Sequence, residues 1–207
     1  MRVIGLTGGI GMGKSAAATM FRRLGLPVFD ADAAVHRLQA PGGAALSAIA
    51  RAFPGTVRGG RLDRAALRVC VLADPTALRR LEAILHPMVR AAERRFLAQA
   101  RAHGHPLAVL DIPLLFETGG EDRADILVVV SAPGPVQRAR VRARGRSDAE
   151  IAAILARQMP DAEKRRRAHY VVRTGLSRHE SQRRLRRLVR QWREEAGREE
   201  AGREEGA

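Results

Sequence analysis

Eight residues near the start of the chain, Gly8-Gly9-Ile10-Gly11-Met12-Gly13-Lys14-Ser15, fit the spacing G-x-x-x-x-G-K-[ST]. They follow directly on Val3-Ile4-Gly5-Leu6-Thr7, a short apolar run of strand-forming residues. Each part implies chemistry. Glycines let the backbone fold so tightly that successive N–H groups converge on a phosphate, and a helix opening at Lys14 adds the partial positive charge of its N-terminus. The Lys14 ammonium suits the β- and γ-phosphates of a nucleoside triphosphate, and the Ser15 hydroxyl suits the Mg²⁺ that bridges them. Of 37 basic residues only Lys14 and Lys164 are lysine, so Lys14 stands where a compact point charge serves better than arginine. Gly8, Gly9, Gly11, Met12, Gly13, Lys14, Ser15 and Ala16 are therefore the expected triphosphate-binding residues.

Carboxylates recur at the ends of apolar runs. Pro27-Val28-Phe29 reads as a second short strand closing on Asp30-Ala31-Asp32, and alternation puts both carboxylates on one side if the strand continues. Asp32 is then placed to hold and deprotonate a hydroxyl that attacks the γ-phosphate; its alternative use is as the N-cap of a helix from Ala33 to Leu38. Leu107-Ala108-Val109-Leu110-Asp111 is a continuous apolar strand ending in a second metal-side candidate, since Asp111 suits Mg²⁺-bound water or Ser15. Ile112-Pro113-Leu114-Leu115-Phe116-Glu117 follows, with Glu117 expected at a site mouth, as a substrate contact or simply solvated. Arg140 and Arg144 lie four apart in an Arg-rich helical stretch, with Gln137 three before Arg140, as a lid that neutralises transferring phosphate would need. Gln158 and Lys164 have only a weak claim on the nucleotide.

The elements that must position these groups alternate strand and helix, which implies an α/β fold with a parallel sheet whose ligands sit beyond the carboxyl ends of the strands. Five strands are expected: Val3–Thr7, Pro27–Phe29, Leu107–Asp111, Ile126–Val130 and Tyr170–Arg173. Helices are expected over 15–25, 149–157 (behind a Ser147–Glu150 capping box) and 181–193. Residues 41–104 carry helical periodicity with no strand signal, and His86-Pro87 is expected to interrupt the last of these helices; His86 by itself reads best as a structural histidine. The reading is a three-layer P-loop NTPase fold: a core from 1–32, 105–135 and 166–193, a helical acceptor-binding insertion at 33–104, and an Arg-rich lid at 136–165. The REEAG repeat from 194 to 207 has no apolar face and is expected to be a disordered or partly helical tail.

Composition excludes several classes. With 207 residues and 45% apolar content the chain can bury a core, built of aliphatic residues because aromatics are only 3%. The single Cys70 excludes an internal disulfide and a cysteine-rich zinc site. The chain opens on its first strand with no leader and holds no membrane-length apolar run, so a cytoplasmic protein is expected. A net charge of +15 fits polyphosphate substrates, while one Trp and one Tyr make a poor platform for single-stranded nucleic acid. No specific nucleic-acid or membrane partner is expected, and the chain is expected to be a monomer or a weak homo-oligomer.

Taken together, G-L-T-G-G-I-G-M-G-K-S at 5–15, D-A-D at 30–32, L-E-A-I-L-H-P at 81–87, D-I-P-L-L-F-E at 111–117 and Q-R-A-R-V-R-A-R at 137–144 resemble the dephospho-CoA kinases. The resemblance covers about residues 1–190, in the family's order and spacing. It implies transfer of the ATP γ-phosphate to the ribose 3′-hydroxyl of dephospho-CoA, giving coenzyme A and ADP in the last step of coenzyme A synthesis. By the same resemblance Asp32 is the base, Arg140 the lid arginine, Arg144 a further nucleotide contact, and Arg64, His86, Pro113, Leu114 and Glu117 the acceptor-side residues. Three positions depart from the pattern: Met12 where Ser is common, Phe53-Pro54-Gly55 where Phe-Gly is usual, and Arg173 where an adenine-side Asn is expected. Because phosphate needs only the backbone N–H of residue 12, the Met is expected to have little effect. Two other readings compete: a kinase of another small hydroxyl acceptor, such as a nucleoside or nucleotide, and a nucleotide-binding module that touches nucleic acid through its basic face.

Overall fold

The computed structural model describes residues 1–175 and 177–204. Its larger unit comprises Met1–Phe29 and the chain from Gln99 onward. Here five strands form one parallel sheet: β1 (Arg2–Thr7), β2 (Val28–Asp30), β5 (Leu107–Asp111), β6 (Ile126–Ser131) and β7 (Tyr170–Arg173), in the order β2-β5-β1-β6-β7. Every residue of β5 and β6 is buried, as strands covered on both faces by helices require. Register pairs Leu6 of β1 with Asp111 of β5 and with Val128 of β6. The chain leaves β1 toward one edge and, after β5, crosses to the other side of β1. The carboxyl end of β1 therefore lies at the reversal of strand order, where open α/β sheets take their ligands.

Helix α1 (Lys14–Arg23) packs on this sheet through Ala17, Ala18 and Phe21, all nearly inaccessible. Helix α9 (Arg178–Glu204) covers the same layer with Leu185, Leu188, Val189 and Trp192, and the Trp192 ring meets Tyr170 edge-on at 5.1 Å between centroids. The expected end at Arg193 is overturned by this helix. It continues through the REEAG repeats to Glu204, and within the first repeat Ala196 is buried while Glu195 pairs with Arg2 at 2.6 Å. A small alanine suffices to make an apolar contact that a search for large hydrophobic residues passes over. Residues 205–207 lie outside the described residues. Helices α6 (Gly134–Arg142), α7 (Asp148–Ala156) and α8 (Asp161–Arg167) fill the segment between β6 and β7, and the Ser147–Glu150 capping box opens α7 as its sequence requires.

The second unit, Asp30–Ala98, has its own core of Ala45, Ile49, Phe53, Leu67, Ala77 and Leu85, with the Arg80 guanidinium 5.4 Å above the Phe53 ring. It holds α2 (Ala31–Leu38), α3 (Leu46–Ala52) and α4 (Arg64–Ala73), and most of α5 (Pro75–Ala102). Three expectations fail here. Asp30 rather than Asp32 is the N-cap: its carboxylate accepts from the Ala33 N–H at 2.9 Å, so the helix begins at Ala31 and strand alternation does not extend to Asp32. Residues 41–104 do contain strands, a short antiparallel hairpin of β3 (Val57–Arg58) and β4 (Arg61–Leu62). Its two central residues, Gly59 and Gly60, have φ of 53° and 71°, a conformation that favours glycine and suits a type I′ turn. Finally, α5 runs unbroken through His86-Pro87. Proline there removes one bond to the Ala83 carbonyl, and burial of Leu85 among the core of this unit holds the helix together on both sides.

Candidate active site

The octet from Gly8 to Ser15 leaves the carboxyl end of β1 and turns into α1. Gly11 and Gly13 have φ of 73° and 94°, and Gly13 is the N-cap of α1 with no side chain bonded to the helix end. The Ala16 and Ala17 N–H groups turn back to the Gly13 carbonyl at 3.1 and 3.2 Å, so it is the Lys14 and Ser15 amides of the first turn that suit an anionic ligand, in line with the helix dipole. Space, as well as φ, demands glycine. A Cβ on Gly11 would lie 2.6 Å from Val141 and 2.8 Å from the Gln137 carbonyl, and one on Gly13 would lie 3.0 Å from the Thr174 hydroxyl.

Lys14 extends from the first turn of α1 to Asp111 at the end of β5, with Nζ 2.6 Å from Oδ1. The sequence-predicted cation and metal-side carboxylate are therefore brought together, and the carboxylate side chain is only 4% exposed. A cation so close to a nearly buried carboxylate offsets much of its desolvation and can be shared with an incoming phosphate. Ser15 and Ala16 are exposed on the same helix turn. Thr7, at the end of β1, donates to the Pro113 carbonyl at 3.0 Å and ties the loop after β5 to the start of the glycine loop.

Met12 contributes more to the loop than the backbone expected of it. Its N–H is engaged with the Gly9 carbonyl at 3.1 Å, its side chain is 3% exposed within the main core, and its sulfur lies 3.1 Å from the Ala132 N–H. The residue is a core anchor for the loop. Beside it, Arg140 of α6 donates through Nη2 to the Thr174 carbonyl at 2.6 Å, and through Nη1 to the Thr174 hydroxyl at 3.2 Å and the Gly11 carbonyl at 3.4 Å. All three acceptors are neutral oxygens, so they position the guanidinium without cancelling its charge. The Thr174 hydroxyl in turn donates to the Met12 carbonyl. A cleft of about 230 Å³ opens against this loop, lined by Ser15, Ala16, Met20, Arg144, Thr174 and Leu185 among others. Arg173, which stands at the departure from the family pattern, is exposed and does not line this cleft.

On the loop after β5, Leu114 is 41% exposed whereas Leu115 and Phe116 are buried. Glu117 is neither solvated nor open. Its Oε1 lies 2.7 Å from the ammonium of Lys164 and accepts from the Met159 N–H at 2.9 Å. Burial pushes the Glu117 carboxyl up, but the Lys164 ammonium and the Met159 amide outweigh it and hold the group below the usual glutamate range. Lys164 is fully buried, so it pairs with Glu117 in the interior and is not presented to a nucleotide.

Asp32, Arg64 and His86 belong to the Asp30–Ala98 unit, and all three are exposed. Asp32 is the second residue of α2, where a carboxylate complements the helix dipole, and Arg64 opens α4 behind the Asp63 cap. His86 lies on the surface of α5, which removes the structural-histidine reading.

Sequence reasoning missed Thr174 and gave Gln158 and Lys164 only a weak claim on the nucleotide, without the contacts the structure shows for them. Gln137 donates to the Ile10 carbonyl at 2.8 Å while the Ile10 N–H donates to the Gln158 side chain at 3.0 Å, so the tip of the glycine loop is held from two directions. A signal for Lys164 was present: it is the only lysine besides Lys14 in an arginine-rich chain, and the argument for a compact point charge applied to it equally. Among the described residues, no group of three or more His, Cys, Asp or Glu is placed to hold a metal ion, and no helix is long and apolar enough to cross a membrane.

Comparison with known proteins agrees with this geometry. The family model described as dephospho-CoA kinase matches residues 2–194. The dephospho-CoA kinase of Gluconobacter oxydans strain 621H is 54% identical over 199 residues, covering 94% of this chain and 99% of that protein. That of Paramagnetospirillum magneticum is 60% identical over 166 residues, covering 80% of this chain and 78% of its own. Among solved structures, TT1252 from Thermus thermophilus superposes with a TM-score of 0.80 at 41% identity, over 92% of this chain and 97% of that one. The dephospho-CoA kinase from Campylobacter jejuni shares the fold, with a TM-score of 0.69 at 22% identity over 91% and 95% of the two chains.

Proposed function

The chain belongs to the dephospho-CoA kinase family, and from that premise we propose how its residues divide an ATP-dependent phosphoryl transfer to dephospho-CoA. The γ-phosphate passes to the ribose 3′-hydroxyl, giving coenzyme A and ADP. Gly8, Gly9, Gly11, Gly13, Lys14, Ser15 and Ala16 cradle the triphosphate, and the nucleoside occupies the cleft bounded by Arg144 and Thr174. Lys14 moves from its contact with Asp111 onto the β- and γ-phosphates. Arg140, fixed by neutral oxygens, places an uncompensated positive charge beside the transferring group, where such charge acts mainly on the transition state. Asp32 is the base. Because a loose transition state has little bond formation to the nucleophile, its task is chiefly to orient the hydroxyl and take its proton late. Arg64, His86, Pro113 and Leu114 meet the acceptor, and Glu117 supports them through the loop it anchors.

The donor set of Ser15 and Asp111, one hydroxyl and one carboxylate, fits a Mg²⁺ ion that arrives with the nucleotide and keeps most of its waters. When bound it neutralises phosphate charge; Ser15 would hold it and Asp111 would orient its water. The reading carries with it a cytoplasmic enzyme, monomeric or weakly associating, whose ligands are small molecules and not nucleic acid.

The observation that carries the proposal is the Lys14–Asp111 pair at 2.6 Å beside an α1 terminus that no side chain caps. Lys14→Ala and Arg140→Ala in a coupled ADP-release assay test it. Loss of one transition-state donor lowers kcat by about 10²–10³. Values within tenfold of the parent for both variants would remove these residues from the chemistry.

A further inference from the structure

Gln158 and Met159 are adjacent in the connector between α7 and α8, and they face two different loops. Gln158 accepts the Ile10 N–H of the glycine loop at 3.0 Å. The Met159 N–H is given to Glu117, on the loop after β5, at 2.9 Å. Gln137 completes the hold on the glycine loop through the Ile10 carbonyl at 2.8 Å. On the other side, the buried Lys164 pairs with the same Glu117 oxygen at 2.7 Å, and the second carboxylate oxygen is enclosed. Glu117 is thus turned into the protein, toward the connector, and not outward to a ligand. The Thr7 hydroxyl on the Pro113 carbonyl already joins the two loops at the strand ends, and the connector adds a second tie further out, at Ile10 and Glu117.

We infer that Gln158 and Met159 form a latch that fixes the glycine loop and the loop after β5 at a common spacing, with Gln158 and Glu117 acting as positioning residues for phosphoryl transfer. The Ile10 N–H and the Met159 N–H are both partly buried, so losing either acceptor leaves a donor without its partner and lets the corresponding loop drift. A displacement well under 1 Å at the phosphates is enough to slow an in-line transfer. Because the link runs through the connector, damage at Glu117 reaches the glycine loop although the polar partners of Glu117 given above, Met159 and Lys164, lie outside that loop.

Three variants and one combination of them test this in steady-state kinetics with ATP and dephospho-CoA, each accompanied by a thermal melt. Gln158→Ala removes one end. Glu117→Met with Lys164→Met removes the other end and its buried charge together, so that no unpaired cation remains. Glu117→Gln with Lys164→Met also removes the charges but keeps a carbonyl oxygen for the Met159 N–H. The latch predicts that Q158A and E117M/K164M each raise KM for ATP about three- to tenfold, the effect of one lost hydrogen bond. It predicts that E117Q/K164M restores most of that loss, and that combining Q158A with E117M/K164M is no worse than the more damaging of the two, since both break one link. Equal losses in E117M/K164M and E117Q/K164M would mean that the carboxylate itself serves a ligand, and would overturn the proposal. So would additive losses in the combination, or an unchanged KM for ATP in both Q158A and E117M/K164M. If E117M/K164M melts below the assay temperature, Q158A decides: normal melting with an unchanged KM for ATP refutes the latch.

Discussion

Replacing Gly11 by alanine separates the two reasons for glycine in the phosphate loop. The φ of 73° carries a strain of about 1–2 kcal/mol for any L side chain. The new Cβ also meets Val141 at 2.6 Å and the Gln137 backbone carbonyl at 2.8 Å, and the second of these cannot rotate away. Restoring ordinary contact requires α6 and the loop to part by several tenths of an ångström, an overpacking cost of about 1–3 kcal/mol. The total, about 2–5 kcal/mol, corresponds to a fall in Tm of about 4–20 °C for a chain of this size. Gly104→Ala is the control. Its φ of 69° imposes the same strain, but nothing lies within 4 Å of the added methyl, so its Tm should fall only about 2–8 °C. Differential scanning calorimetry reads both. Parting α6 from the loop also displaces Arg140 and Gln137 from Gly11 and Ile10, so kcat/KM of G11A should drop at least tenfold while that of G104A stays near the parent. If G11A melts no lower than G104A and keeps kcat/KM within threefold, the packing of α6 on the loop does not constrain residue 11.

Other expectations follow from single contacts. Asp32→Asn should remove most turnover yet leave the melting temperature within a degree or two, because the residue is exposed and Asp30 carries the cap; near-normal turnover would take the base assignment from Asp32. Glu117 is held below its ordinary range in the folded chain, so its contribution is complete above the unfolded value and is lost as pH falls through the folded one. Melts from pH 7 to pH 3 should therefore show the parent losing its advantage over E117Q/K164M on the acid side, and a difference constant with pH would contradict the pairing. In the first REEAG repeat, Ala196→Asp should lower Tm by burying a charge, whereas Gly197→Ala should raise it slightly as a helix-interior substitution into open space. Identical melts for both would mean the repeat does not dock.

Where sequence periodicity and tertiary packing agree, the fold was legible. The five sheet strands are short apolar runs bounded by turn residues, and Leu107–Asp111 forms with the expected limits because both faces are covered. The phosphate loop was legible because its chemistry demands particular residue types at fixed spacing. What failed were inferences that treat a residue locally. Pro87 reads as a break, yet one missing bond in a 28-residue helix is tolerated when Leu85 is buried beside it. Asp30 and Asp32 both suit a cap, and only the backbone shows that the chain turns helical at Ala31. Met12 was treated as interchangeable because phosphate sees only backbone, whereas its side chain fills the core beneath the loop. The contacts of Gln137, Gln158 and Thr174 join segments more than a hundred residues apart, and no local spacing encodes them.

In this enzyme ATP should be consumed only when dephospho-CoA receives its γ-phosphate. A coupled ADP-release assay with ATP and Mg²⁺, run with dephospho-CoA, with adenosine and with no acceptor, and followed by mass spectrometry of the product, measures this directly. The expected result is ADP release that depends on dephospho-CoA and a product heavier by one phosphoryl group, identified as coenzyme A. Turnover with adenosine but not dephospho-CoA, or ADP release indifferent to every acceptor, would contradict it.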